Sequence, residues 1–126
     1  MIAAGFGFRA AATTASLRDA LDLARARTGA GPTLVALATA ADKAGAAPLC
    51  ALAQALGLPI HAVDTARLTA QHTPTRSHAS QAAHGTGSVA EAAALAAAGP
   101  EARIVAPRVI SGDGMATCAL AEGKDP

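Results

Sequence analysis

Ile2-Ala3-Ala4-Gly5-Phe6-Gly7-Phe8 is an apolar run. After it Leu17, Ala20, Leu21 and Ala24 recur at helical spacing, before a second apolar run, Leu34-Val35-Ala36-Leu37-Ala38. The order is strand, helix, strand, and the first strand is expected to end in a turn, Gly5-Phe6-Gly7-Phe8-Arg9. Thr13, Thr14 or Ser16 can cap the helix, because a short hydroxyl side chain satisfies an N–H that the first turn leaves without a partner. Arg18, Asp19, Asp22 and Arg25 supply its solvated face. Gly29-Ala30-Gly31-Pro32 stops it. A continuous apolar run bounded by turn residues marks a buried strand, which is how 34–38 reads.

The alternation continues along the chain. Pro48, Leu49, Leu52 and Leu56 give a second helix ending at Gly57, and Pro59-Ile60-His61-Ala62-Val63 a third strand. Asp64 to Ala70 reads as a short helical turn, and 71–84 as a polar loop rich in His, Ser and Thr. Gly85-Thr86-Gly87-Ser88-Val89-Ala90-Glu91 then opens an alanine-rich helix that Gly99-Pro100 ends. Arg103-Ile104-Val105-Ala106 makes a fourth strand, and Met115-Ala116-Thr117-Cys118-Ala119-Leu120 a fifth. Strands alternating with helices predict a three-layer α/β/α sandwich with a mixed, mainly parallel five-stranded sheet. Only the link 107–114, with no helix, joins the last two strands, so the last strand should be antiparallel. Residues 1–121 are expected to form a single domain, with 122–126 a disordered tail.

Composition removes several classes of function. With 126 residues, a net charge of +1, two phenylalanines and no tyrosine or tryptophan, the chain has neither a basic patch nor a base-stacking platform. That argues against a nucleic-acid partner. No apolar stretch reaches the ~20 residues of a membrane span, and no basic region precedes the apolar start, so a cytoplasmic protein without a membrane partner is expected. Cys50 and Cys118 fall in apolar elements and read as small core residues.

The stretch from Gly85 carries the clearest chemical signal. Ser88 and Glu91 have the spacing of a capping box, and Gly85 and Gly87 let the backbone before the cap approach a ligand closely. A helix N-terminus carries roughly half a positive charge and several N–H groups without partners, so it suits a carboxylate or phosphate. In open α/β sheets ligands sit beyond the carboxyl ends of the strands, here the Gly5 to Arg9 turn, Thr39 to Lys43 and the loop after Val63. Arg9 and Lys43 are candidate partners for an acidic ligand. Gly5-x-Gly7 is not a dinucleotide fingerprint, because Ala10 stands at the third glycine. His72, His78 and His84 lack metal-ligand spacing, so no metal and no cofactor are expected; His84, beside the glycine turn, is the histidine nearest a ligand. No G-x-S-x-G elbow occurs, and Ser111, Asp113 and Thr117 suit turn chemistry as well as catalysis.

These segments together resemble the CobE/CbiG C-terminal domain family of cobalamin biosynthesis. The pieces that carry the resemblance are Gly5-Phe6-Gly7-Phe8-Arg9, Leu37-Ala38-Thr39 with Lys43, Leu56-Gly57-Leu58-Pro59-Ile60, and Gly85 to Ala94, which is the most specific. Val105-Ala106-Pro107-Arg108, Ser111, and the run Met115 to Leu120 complete it. The chain departs from the family pattern at Phe8, where many members have cysteine, at Ala10 and Ala11, which replace a common Arg-Gly pair, and at Ala46, which replaces a common acidic residue. The first change argues against cysteine chemistry at this turn.

The resemblance implies a role in making the corrin ring, as a free-standing protein rather than one fused to a domain that opens a precorrin lactone. Corrin precursors are apolar in the ring and fringed with carboxylates, so their receptor needs cations and helix N-termini around a cleft. The expected ligand-binding residues are Gly5, Gly7, Arg9, Lys43, Gly85, Thr86, Gly87, Ser88, Arg108 and Ser111. The favoured expectation is a non-catalytic protein that binds or hands over a precorrin or corrinoid intermediate. The alternatives are a hydrolase on a precorrin lactone with His84 or Glu91 as base, and a scaffold for other pathway enzymes.

Overall fold

The computed structural model describes residues 1–28, 33–74 and 88–123. Strands β1 (Ile2–Phe8), β2 (Leu34–Ala40), β3 (Ile60–Val63), β4 (Arg103–Ile110) and β5 (Ala116–Glu122) form one sheet in the order β3-β2-β1-β5-β4. Parallel pairing joins β1 to β2 and β2 to β3, while β5 runs antiparallel to both β1 and β4. The last strand is thus the reversed one, as the short link before it requires. It lies inside the sheet, between the first strand and the fourth.

Helices α1 (Thr14–Thr28) and α2 (Ala47–Leu56) cover one face, and α3 (Thr65–Thr69) and α4 (Val89–Ala98) the other. Strand alternation separates the two layers: Ile2, Ala4 and Phe6 pack with Leu17, Leu21, Leu49 and Leu52, whereas Ala3 packs with Ala94, Leu95 and Ala98. Thr13 and Ser16 close the start of α1 reciprocally, each hydroxyl accepting the other's backbone N–H at 3.2 and 3.1 Å. Ser16 stands where a capping box usually has a glutamate. Gly57 ends α2 at φ +69°, a left-handed conformation that glycine adopts without steric cost. Asp64 Oδ1 caps α3 by accepting the Arg67 N–H at 2.8 Å.

Several boundaries differ from the sequence expectation. β1 continues to Phe8, so Gly5 and Gly7 are strand residues and not a turn. β4 runs on to Ile110 and includes Pro107, which is tolerated because β4 is an edge strand and its register is irregular on both sides of Ala106. β5 extends to Glu122, whose carboxylate accepts from Arg103 Nη2 at 2.7 Å, so the expected tail is strand at its first residue. Cys50 is exposed rather than core, because Leu49, Leu52 and Ala53 form the buried stripe of α2. The expected helix stop at 29–32, most of the polar loop and the last residues, 124–126, lie outside the described residues.

Candidate functional site

The parallel strands β1, β2 and β3 end on one side of the molecule. Phe8 and Arg9 close β1 there, and a 3-10 turn, Ala41–Lys43, follows β2 directly. Lys43 Nζ stands 5.3 Å from the centre of the Phe8 ring, a cation held over an aromatic face. Arg9 is exposed, with its backbone N–H donating to the Met115 carbonyl at 2.9 Å. Helix α4 begins at the same end: a Cβ built on Gly7 would lie 3.7 Å from Val89 Cβ and 3.9 Å from Ala90 N. The structure therefore places Gly7, Arg9, Lys43 and the start of α4 at the same end of the sheet, with Phe8 packed toward α1 and α2 and Gly7 against α4 on the other face.

Ser88 caps α4, its Oγ accepting the Glu91 N–H at 3.2 Å, and it is fully buried. Its hydroxyl serves the helix. Gly5 is enclosed too: a Cβ there would collide with the Ala90 carbonyl oxygen and lie 2.5 Å from Ala94 N, so α4 covers it. Gly7 is half-buried, and its carbonyl accepts from Thr117 Oγ1 at 3.1 Å.

Glu91 has no exposed surface, and its Oε2 accepts the backbone N–H of Arg108 on β4 at 2.9 Å. The charged end of the capping-box glutamate thus reaches a strand. Arg108 is half-buried and stands apart from the other cations, since β5 intervenes between its strand and β1, about 10 Å away at ordinary strand spacing. Its neighbours Ala106 and Val109 align, through Leu120 and Cys118, with Ala4 and Phe6, below the rim.

Ser111 belongs to the hairpin that joins β4 to β5. Its Oγ donates to Asp113 Oδ1 at 2.6 Å and accepts the Ala116 N–H at 3.0 Å, so it builds the turn. Asp113 also accepts from Ser16 Oγ at 2.5 Å and from the Met115 N–H at 3.0 Å, while Asp19 accepts the Gly112 N–H at 2.7 Å. Two carboxylates thereby fasten the hairpin to the first turns of α1. Hydrogen bonds from Ser111, Ser16 and Met115 hold the Asp113 carboxyl down, from its ordinary 3.8 to about 2. The sequence offered Ser111 and Asp113 for turn chemistry, but not their links to Ser16 and Asp19 on α1.

The Cys118 thiol is fully buried and burial pushes its pKa well up, which leaves it a core group and not a nucleophile. His72 is exposed; His78, His84, Gly85, Thr86 and Gly87 lie outside the described residues. Among the described residues no three His, Cys, Asp or Glu side chains gather as a metal site requires, and no helix is long and apolar enough to cross a membrane. A cleft of about 360 Å³ opens elsewhere, beside Arg67, Gln71 and Glu101 at the carboxyl end of α4. Arg67 Nη2 donates there to the Ala96 carbonyl at 3.1 Å, and among the described residues no expected site residue lines it. The strand-end rim carries Lys43 over the Phe8 ring and, next along the chain, the exposed Arg9.

The family described as Cobalamin synthesis G C-terminus matches residues 2–121. No curated protein matches. Among solved structures the chain is similar to CobE, a protein from the cobalamin (vitamin B12) biosynthetic pathway, at 30% identity over 96% of this chain and 89% of that one, with a TM-score of 0.85. It is also similar to cobalamin biosynthesis protein chiG from Agrobacterium tumefaciens, at 38% identity over 99% of this chain and 100% of that one, with a TM-score of 0.74. A cobalamin biosynthesis protein G homolog from Sulfolobus solfataricus, 18% identical over 95% of this chain and 36% of that one, shares the fold at a TM-score of 0.66. With its strand order, its alanine-rich α4 and a family match spanning nearly its whole length, this chain belongs to the cobalamin synthesis G C-terminus family of cobalamin biosynthesis proteins.

Proposed function

We propose that the protein binds a carboxylate-fringed corrin-ring precursor at the strand-end rim and hands it on without turning it over. The observation that carries this reading is that Arg9, Lys43 over Phe8, and the start of α4 all lie at the end of the sheet where β1 and β2 finish. A corrin precursor has an apolar ring and an anionic edge. Phe8 holds Lys43 in place through its ring, and the two cations with the helix N-terminus answer the carboxylates. Recipient enzymes of the same pathway are the natural partners of such a hand-over.

The hydrolase alternative loses one of its two bases. Glu91 has no solvent-exposed surface and already accepts the Arg108 N–H, so it does not reach a substrate proton at hydrogen-bond distance. Spectral titration of the full chain with hydrogenobyrinic acid tests the binding reading. A saturable absorbance shift with tight, one-to-one stoichiometry is expected; a spectrum unchanged at micromolar protein overturns it. Conversion of a lactone-bearing precursor by the purified protein would establish the hydrolase instead.

A further inference from the structure

Two glycines stand in β1, and the fold requires only one of them. Glycine inside a strand weakens it, and it commonly marks a bulge or a place where another backbone or a ligand comes close. Gly5 has such a cause: a Cβ there would collide with the Ala90 carbonyl oxygen, so α4 lying on β1 demands it. Gly7 has neither a bulge nor a backbone above it. The pairing of β1 with β5 runs unbroken from Ile2↔Glu122 to Phe8↔Ala116, and the Gly7 φ lies outside the left-handed region. Apart from its chain neighbours, the nearest main-chain atom to a Cβ on Gly7 would be Ala90 N, at 3.9 Å.

One side chain offers a competing account. A Cβ on Gly7 would lie 2.9 Å from Thr117 Oγ1, whose hydroxyl donates to the Gly7 carbonyl. Yet a strand glycine costs about as much as one hydroxyl–carbonyl bond returns, so the pair gains little stability over two ordinary strand residues. What the pair leaves is a notch at the carboxyl end of β1, bordered by Thr117 Oγ1, Val89 Cβ and Ala90 N. Gly7 is only half-buried, so the notch meets solvent. It lies on the α4 face, across the strand from the Phe8 ring that packs toward α1 and α2 and carries Lys43 over it. We infer that Gly7 is a specificity-determining residue: its missing side chain lets the periphery of the bound corrin precursor reach past the end of β1 and rest against the strand's main chain. The inference rests on the ligand reading given under the proposed function.

A double substitution separates the two accounts. Hydrogenobyrinic acid is titrated into the full-length wild type, Gly7→Ala, Thr117→Ala and the double variant, and the thermal midpoint of each is read alongside. Thr117→Ala removes the one atom closer than 3.7 Å to the added Cβ, so the double variant should melt close to Thr117→Ala alone. Its binding should nevertheless fall about ten-fold below that of Thr117→Ala, the size of one extra methyl forced into a filled space. Gly7→Ala alone should weaken binding by a similar factor; if it does not fold, the Thr117→Ala background carries the comparison. A double variant that binds as Thr117→Ala does would show that Gly7 only makes room for the hydroxyl, and overturns the inference. A folded Gly7→Ala that binds as wild type does overturns it as well. Absence of binding by the wild type overturns the ligand reading itself.

Discussion

On the face covered by α1 and α2, Phe6, Leu17, Leu21, Leu37, Leu49 and Leu52 fill the space between sheet and helices; on the other face Gly5 meets the backbone of Ala90 and Ala94 with no side chain between them. One face is packed by side-chain volume and the other by its absence. Large apolar side chains contribute about 25 cal/mol per Å² of buried surface, so the first face gains from size. The second gains from closeness, which brings the start of α4 down to Gly7 and lets Glu91 reach β4. Added volume should therefore damage one layer and removed volume the other.

The largest effect is expected from Gly5→Val. Its Cβ collides with main chain rather than with a flexible side chain, so the loss should exceed the ~3 kcal/mol typical of overpacking and leave little folded protein. A cooperative thermal transition near that of wild type would break the picture of α4 lying directly on β1. Leu21→Ala probes the opposite layer, where an unfilled cavity should cost about 2–5 kcal/mol in urea unfolding, with the fold retained. A loss below 1 kcal/mol, on the same scale of cavity costs, would show that this face too collapses around small residues.

Where the two layers meet at the rim, ligand binding is the readout. Phe8→Leu should weaken hydrogenobyrinic acid binding by about two- to five-fold through loss of the cation–aromatic contact, and should add nothing in a Lys43→Gln background. A full additional loss there would mean that the Phe8 ring touches the ligand directly. The smallest effect concerns the hairpin. Because folding lowers the Asp113 pKa to about 2 from 3.8, its contribution is fully present above about pH 4 and is lost as pH falls through about 2. Asp113→Asn should flatten the pH dependence of stability in that window while leaving it unaltered near neutrality; an unchanged acid slope would assign the slope to other carboxylates.

Much of the fold could be read in advance. The helical spacing of Leu17, Ala20, Leu21 and Ala24, the stop at Gly57 and the helix-free link before β5 each depend on neighbours a few residues away, and each reappears in the structure. The candidate site was legible only in part. Arg9 and Lys43 stand at the strand ends, as the topology rule for α/β sheets implies, but Gly5 serves packing and Ser111 serves a turn. Glycine in a strand and glycine in a loop look alike until the element lying over them is known.

Local periodicity and turn chemistry, acting over a few residues, thus determined by themselves the alternation of strands and helices, the reversal of the last strand and the capped start of α4. Only the tertiary structure decided that β5 would lie between β1 and β4, that Glu91 would cross to the Arg108 N–H, and that Asp113 would fasten the hairpin to α1. Those contacts join residues far apart in the chain. Their partners are chosen by which elements pack together, a result of burying the whole apolar surface at once that no single stretch encodes.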